Sequence, residues 1–164
     1  SVVKAIMLMV QNKIFHSPKL IADGLASFEG DHNQLTALLW ERFDQINPEI
    51  QVGIINYIKI VSDAYCSPFY EYLIDPKTDK EVRLAIIRYF RKYYYAPVHQ
   101  QLIRFLLFEK EYDWEFSAVA ALALQNYPGD QTIDALKKAL YNSNWYVRYN
   151  AAQSLNVFQI GEVQ

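Results

Sequence analysis

Arg88 and Arg91 stand three residues apart, and Tyr93-Tyr94-Tyr95 follow directly. On a helix that spacing puts both guanidiniums on one side. Arginines beside tyrosines suit recognition of carboxylates, phosphates or aromatic groups. They belong to a basic stretch, Lys77 to Arg104, in which Lys77, Lys80, Arg83, Arg88, Arg91, Lys92 and Arg104 outweigh Asp79 and Glu81, a net of +5. From Phe105 to Asp134 six acids stand against Lys110, a net of −5. A chain of overall charge −2 thus carries adjacent blocks of opposite sign. A binding surface and a solvated charged face with internal ion pairs are both compatible with this pattern.

Other reactive residue types are scattered. Cys66, His16, His32 and His99 share no helical turn and no short motif, so a zinc site is not expected. Cys66 precedes Ser67-Pro68 at a helix entry, with no histidine near it in sequence, and reads as a small turn residue. There is no glycine-rich phosphate loop, GxSxG elbow or HExxH helix. Glu109, Glu111, Asp113 and Glu115 resemble a carboxylate cluster, but they precede a helix, where negative charge complements the dipole. No acid–base or nucleophile pair is placed at contact spacing. The sequence therefore implies no catalytic residue, no cofactor and no metal. As the only cysteine, Cys66 fits a reducing compartment and forms no internal disulfide.

What must position these residues is a repeat. Apolar residues make up 52% of the chain and glycines number five, which favours one continuous helical core over residues 1–164. Thirteen tyrosines and nine phenylalanines imply thick aromatic interfaces between helices. Two-helix units are expected at about 1–30, 31–65, 66–95, 96–127 and 128–160. The first core position of each second helix is placed at Leu20, Ile50, Val82, Phe116 and Val147. Positions +4, +5 and +8 from each are apolar or small throughout: Gly24, Leu25 and Phe28 in the first unit, Ala151, Ala152 and Leu155 in the last. Together they make one helical face. Position +9 is polar in every unit (Glu29, Lys59, Arg91, Gln125, Asn156) and should face solvent. Position +6 holds Ala26, Asn56, Arg88, Leu122 and Gln153.

First helices carry Leu35/Leu39/Phe43, Phe69/Leu73, Leu102/Leu106 and Ile133/Leu136/Leu140, and an initial helix is expected at 2–15 with Ile6, Val10 and Ile14. Pro18, Pro48, Pro68, Pro97 and Pro128 fall at expected helix starts, with Ser17, Asn47 and Ser67 as N-caps for three. Trp114 and Trp145 both lie two residues before the zero position. Packing on a neighbouring turn and an aromatic platform at the edge are the two readings of that equivalence.

The last unit carries a resemblance. Ala139-Leu140, Asn142, Val147-Arg148, Ala151-Ala152 and Leu155 follow the pattern AL-x-D-x4-VR-x2-AA-x2-L, with Asn142 at the aspartate position. The third unit keeps Asp75 and Val82-Arg83 with two extra residues between them, while the second and fourth have Gln51 and Ser117 in place of the arginine. This resembles the HEAT-repeat family, including its short bacterial type related to bilin lyases. The resemblance implies an all-α, right-handed α-α superhelix, an armadillo-like solenoid of about five helix pairs. It also implies that Asp75, Arg83, Asn142 and Arg148 are structural, tying the turns of adjacent repeats together. The family mostly supplies protein-binding scaffolds; a minority are enzymes, such as DNA glycosylases and lyases.

The expectation is therefore a non-enzymatic scaffold whose second helices line a concave groove for a partner protein or peptide. Lys59, Arg88, Arg91, Gln125, Asn56, Gln153 and Tyr94 would be its contacts. A nucleic-acid-binding or glycosylase-like protein is the alternative, opposed by a pI of 5.9, and a lyase-like small-molecule protein the second. The longest apolar run, Ala5 to Val10, is too short to span a membrane. A cytoplasmic location is expected, with a tether outside these residues still compatible. The Ser1 start and the apolar ends, Val2 to Val10 and Leu155 to Ile160, fit either a fragment or ends that self-associate.

Overall fold

The computed structural model describes residues 17–163, with Lys4 and Leu8, and side chains as far as Phe158. The helix expected at 2–15 and the Ile160 side chain, like His16, lie outside the described residues. All regular structure among the described residues is helical: α1 (Pro18–Ala26), α2 (His32–Glu41), α3 (Pro48–Val61), α4 (Cys66–Ile74), α5 (Lys80–Lys92), α6 (His99–Leu107), α7 (Trp114–Ala123), α8 (Asp130–Ala139) and α9 (Trp145–Val163). Short 3₁₀ turns at Phe43–Gln45, Ala96–Val98 and Leu124–Asn126 tighten three of the junctions. The chain forms two compact units, Ser1–Ile86 and Ile87–Gln164.

Local chemistry sets the helix starts. Ser17 Oγ accepts from Leu20 N (3.2 Å) and Asn47 Oδ1 from Ile50 N (3.1 Å), each followed by proline at the first helical position. Asp31 and Asp79 cap α2 and α5 through Asn33 N and Glu81 N, both at 2.9 Å. Ser67 is not a cap: α4 begins at Cys66, so Pro68 lies inside its first turn. There a missing N–H still costs no helical bond.

In the first unit α1 packs directly on α3. Gly53 makes the approach possible, since a Cβ there would lie 2.7 Å from both Cβ and Cγ2 of Ile21. The expected register fails by one residue in α1. Leu20 is 51% exposed, and Ile21, Ala22 and Leu25 form the buried face. The α1 start is fixed by the Ser17 cap, which sets Ile21 against Gly53. Trp40 is the hub of an aromatic cluster, its ring 4.8 Å from Phe43 and 5.6–5.7 Å from Tyr65, Phe69 and Tyr72.

In the second unit α6 packs on α7 and α8, and α9 packs on α7 and α8. First helices thus stack on first helices and second on second. The buried columns are Phe116, Ala120 and Ala121 on α7 with Leu124 in the 3₁₀ turn after it, and Val147, Ala151 and Leu155 on α9. Ala152 is exposed, because no described helix covers that side of α9, and Leu140 is exposed at the end of α8. Polar bonds hold the stacking at the repeat period: Tyr95 N to Tyr127 Oη (3.1 Å), His99 Nε2 to Thr132 Oγ1 (2.7 Å), Asn150 Nδ2 to Ala118 O (2.9 Å) and Ser154 Oγ to Ala121 O (2.7 Å). Their partners are 32 or 33 residues apart in sequence.

Candidate partner-binding surface

Arg88 and Arg91 project from the second half of α5 and are exposed. Neither makes a hydrogen bond or ion pair to another described residue. The C-terminal helix dipole favours Arg91 and Lys92 where they stand. Lys92 Nζ lies 5.2 Å from the Tyr93 ring centroid. Tyr94, 59% exposed, lays its ring 5.0 Å from that of buried Tyr127. The Tyr127 hydroxyl is held inside, donating to Phe90 O and accepting from Tyr95 N, both at 3.1 Å. The turn after α5 is therefore pinned, and it offers the Tyr94 ring outward.

The other expected contacts differ in their freedom. Gln125, in the 3₁₀ turn after α7, gives a proton to Ser154 Oγ at 3.0 Å, so part of its amide serves the stacking of α7 on α9. Gln153 is exposed and donates to Tyr149 Oη at 3.0 Å. Asn56 and Lys59 sit half-exposed on α3, in the first unit.

The expected ladder residues act inside the helix pairs. Asp75 Oδ1 accepts from Lys77 N (2.9 Å) and Asn142 Oδ1 from Asn144 N (2.8 Å), closing equivalent turns. Arg83 Nε donates to Leu73 O at 3.0 Å, and Arg148 Nη1 to the Asn142 and Ser143 carbonyls at 2.8 and 3.1 Å. These bonds join a second helix to the end of its own first helix (Arg83) or to the turn that follows it (Arg148), where a tie between adjacent repeats was expected. Sequence reasoning missed that Gln51 and Ser117 do the same job. Gln51 Nε2 donates to Phe43 O and Ser117 Oγ to Phe105 O, each at 2.8 Å. The signal was present: all four occupy position +1, and all four can donate a proton.

A second feature was half seen. Trp114 and Trp145 are both exposed, and Tyr146 joins them, with centroids 5.6 and 5.1 Å away. Tyr149 extends the chain, stacked on Trp145 at 5.2 Å. Elsewhere burial shapes the polar groups. The Tyr57 hydroxyl, bonded to His32 Nδ1, is pushed up to about 12 by burial and, secondarily, by Tyr65. Burial lowers the pKa of His99, whose Nε2–H donates to Thr132 Oγ1. The Thr132 hydroxyl in turn donates to Tyr127 O. A cavity of about 450 Å³ in the first unit is lined by Asp44, Gln51, Tyr72, Asp75 and Lys77 among others. No group of three or more metal-ligating side chains occurs among the described residues.

All-helical pairs, stacked like on like and locked at position +1, define a helical-repeat protein. A family profile described as HEAT repeats matches residues 66–156, and the chain belongs to the HEAT-repeat family. HEAT repeats are commonly protein-interaction scaffolds, and the fold is generally non-enzymatic. No curated protein and no solved structure matches the chain. Among the described residues no helix is long and apolar enough to cross a membrane.

Proposed function

We propose that this chain is a non-enzymatic interaction module that captures an acidic segment of a partner protein on the second-helix face carrying Arg88 and Arg91. One observation carries the reading: two exposed arginines one turn apart form no ion pair with another described residue. Neighbours at that spacing are about 5–6 Å apart at Cβ. Planar guanidiniums bind carboxylates bidentately. Tyr94 supplies a ring against which an apolar flank of the same segment can lie, and Gln153 a neutral polar contact on α9. Gln125, at the repeat position that matches Arg91 in the same unit, would extend the contact to a longer segment.

The test pairs Arg88→Glu with Arg91→Glu and measures capture of partners from the native cell alongside thermal unfolding. The expected result is loss of acidic partners with a melting temperature changed by no more than a few degrees. Unfolding of the double variant would make the arginines structural and end the reading. A steep log–log salt dependence of binding to duplex DNA, removed by the same variant, would replace a protein partner with nucleic acid.

A further inference from the structure

We infer that the second unit carries a separate docking surface for a basic, arginine- or lysine-bearing peptide segment, formed by the exposed ring chain Trp114–Tyr146–Trp145–Tyr149 and the acidic turn beside it. The four aromatic residues are between 43% and 57% exposed. Large rings are ordinarily core or interface residues. Here they form one continuous run: Trp114 and Tyr146 stack at 21° between ring planes, Trp145 meets Tyr146 edge-on at 81°, and Tyr149 stacks on Trp145 at 15°. The run joins the first turns of α7 and α9, two neighbouring second helices. The outward ring faces carry the negative side of the aromatic quadrupole, which attracts cations.

Charge points the same way. The turn between α6 and α7 holds Glu109, Glu111 and Asp113, with Glu115 next to Trp114. Glu109 is brought to the foot of the rings, accepting from Ser143 N (3.3 Å) and Ser143 Oγ (3.0 Å), two residues before Trp145. Three bases stand in the same region: Arg104 faces Glu111 at 3.9 Å, Arg148 donates to the Asn142 and Ser143 carbonyls, and Lys110 follows Glu109; the four carboxylates outnumber them. An acidic occupant would meet these carboxylates. A basic segment meets carboxylates and ring faces together, and in chemistry it is the opposite of what Arg88 and Arg91 select.

Tryptophan fluorescence provides the assay. The intact chain is titrated at low salt with an alternating Arg-Gly octapeptide, its Glu-Gly counterpart and octaproline. Quenching by Arg-Gly alone is expected. Trp145→Ala and Tyr149→Ala should each weaken it about fivefold, the scale of one exposed cation–π contact. Glu109→Gln with Glu111→Gln should weaken it further, and Arg88→Glu with Arg91→Glu should leave it unchanged. Circular dichroism checks that each variant is folded, and Tyr149→Phe, which keeps the ring, should bind as the parent does. Equal or tighter binding of octaproline would mean that shape and not charge is read, and would overturn the proposal. Indifference of Arg-Gly binding to Trp145→Ala would do the same. So would salt-sensitive self-association that Trp145→Ala abolishes, because the occupant would then be a second copy.

Discussion

Ser117→Ala separates two views of position +1. If only the arginines lock a helix pair, Ser117 is a small filler and its hydroxyl is dispensable. If the position is defined by donation to the first helix or the turn that closes it, Ser117 is as structural as Arg83. Ser117 is fully buried, and its Oγ lies 2.8 Å from Phe105 O, near the end of α6. Because α6 ends at Leu107, that carbonyl has no continuing helical turn to satisfy it. Removing the hydroxyl deletes one partner of a buried hydrogen bond, at about 1–3 kcal/mol. Alanine's better helix propensity returns about 0.5 kcal/mol. The net loss should be about 0.5–2.5 kcal/mol, lowering the melting temperature by roughly 1–10 °C for a domain of this size. Urea unfolding should be followed by circular dichroism and by tryptophan fluorescence, which samples Trp40 in one unit and Trp114 and Trp145 in the other. Gln51→Leu, which keeps volume and removes the donor to Phe43 O, should behave alike. A Ser117→Ala variant within about 0.3 kcal/mol of the parent, below the size of a single net hydrogen bond, would refute the shared role.

Two further tests address packing and pH. Gly53→Ala places a methyl group 2.7 Å from the Ile21 Cβ, the stiff base of a branched side chain. α1 must then move off α3, at about 1–3 kcal/mol for overpacking less about 1 kcal/mol of helix propensity; an unchanged urea midpoint would show that the helices already stand apart. For His99, burial depresses the folded-state pKa below the usual 6.5, so on acidification the unfolded chain takes the proton first. The neutral ring's contribution is complete above that value, is lost as pH falls below it, and levels off once the folded form also protonates. Since the ring is partly solvated, the slope should stay below the one-proton ceiling of about 1.4 kcal/mol per pH unit. His99→Gln, which keeps an amide donor for Thr132, should flatten the stability profile between pH 7 and 5.5; an identical slope in the variant would assign it to another group.

What could be read from the residues alone follows from how often each rule repeats. Columns 0, +4, +5 and +8 recur over several pairs, so the helical class, the pairing and the family were legible from Ile50, Val82, Phe116 and Val147 and their companions. The α1 register was not, because one glycine–isoleucine contact decides between Leu20 and Ile21, and a single close approach leaves no periodic trace. Position +1 was misjudged for another reason. Arg, Gln and Ser look unlike as residue types, yet each can put one proton on one carbonyl, and the carbonyl's location is a property of the fold. Of the candidate contacts, the sequence located Arg88 and Arg91 on one helical side. It could not show that Gln125 bonds to Ser154, since Gln125 lies on the +9 column that reads as solvent-facing.

The aromatic surface shows the same limit from the opposite side. Trp114 and Trp145 hold equivalent positions, and equivalence in a repeat ordinarily signals packing. Tyr146, at −1 in the last unit, has only Glu115 as its counterpart one repeat earlier, so no column announces it. Yet Tyr146 links the two tryptophans, stacking on Trp114 and meeting Trp145 at its edge. A stacked array conserves geometry through residues that recur and acquires surface chemistry through residues that do not. The side chains that set a partner are then those which break the period, as Tyr146 and Tyr149 do on α9 and Arg88 does between Asn56 and Leu122. In a helical repeat the period therefore identifies the scaffold, and departures from it on the exposed positions identify where binding should be tested.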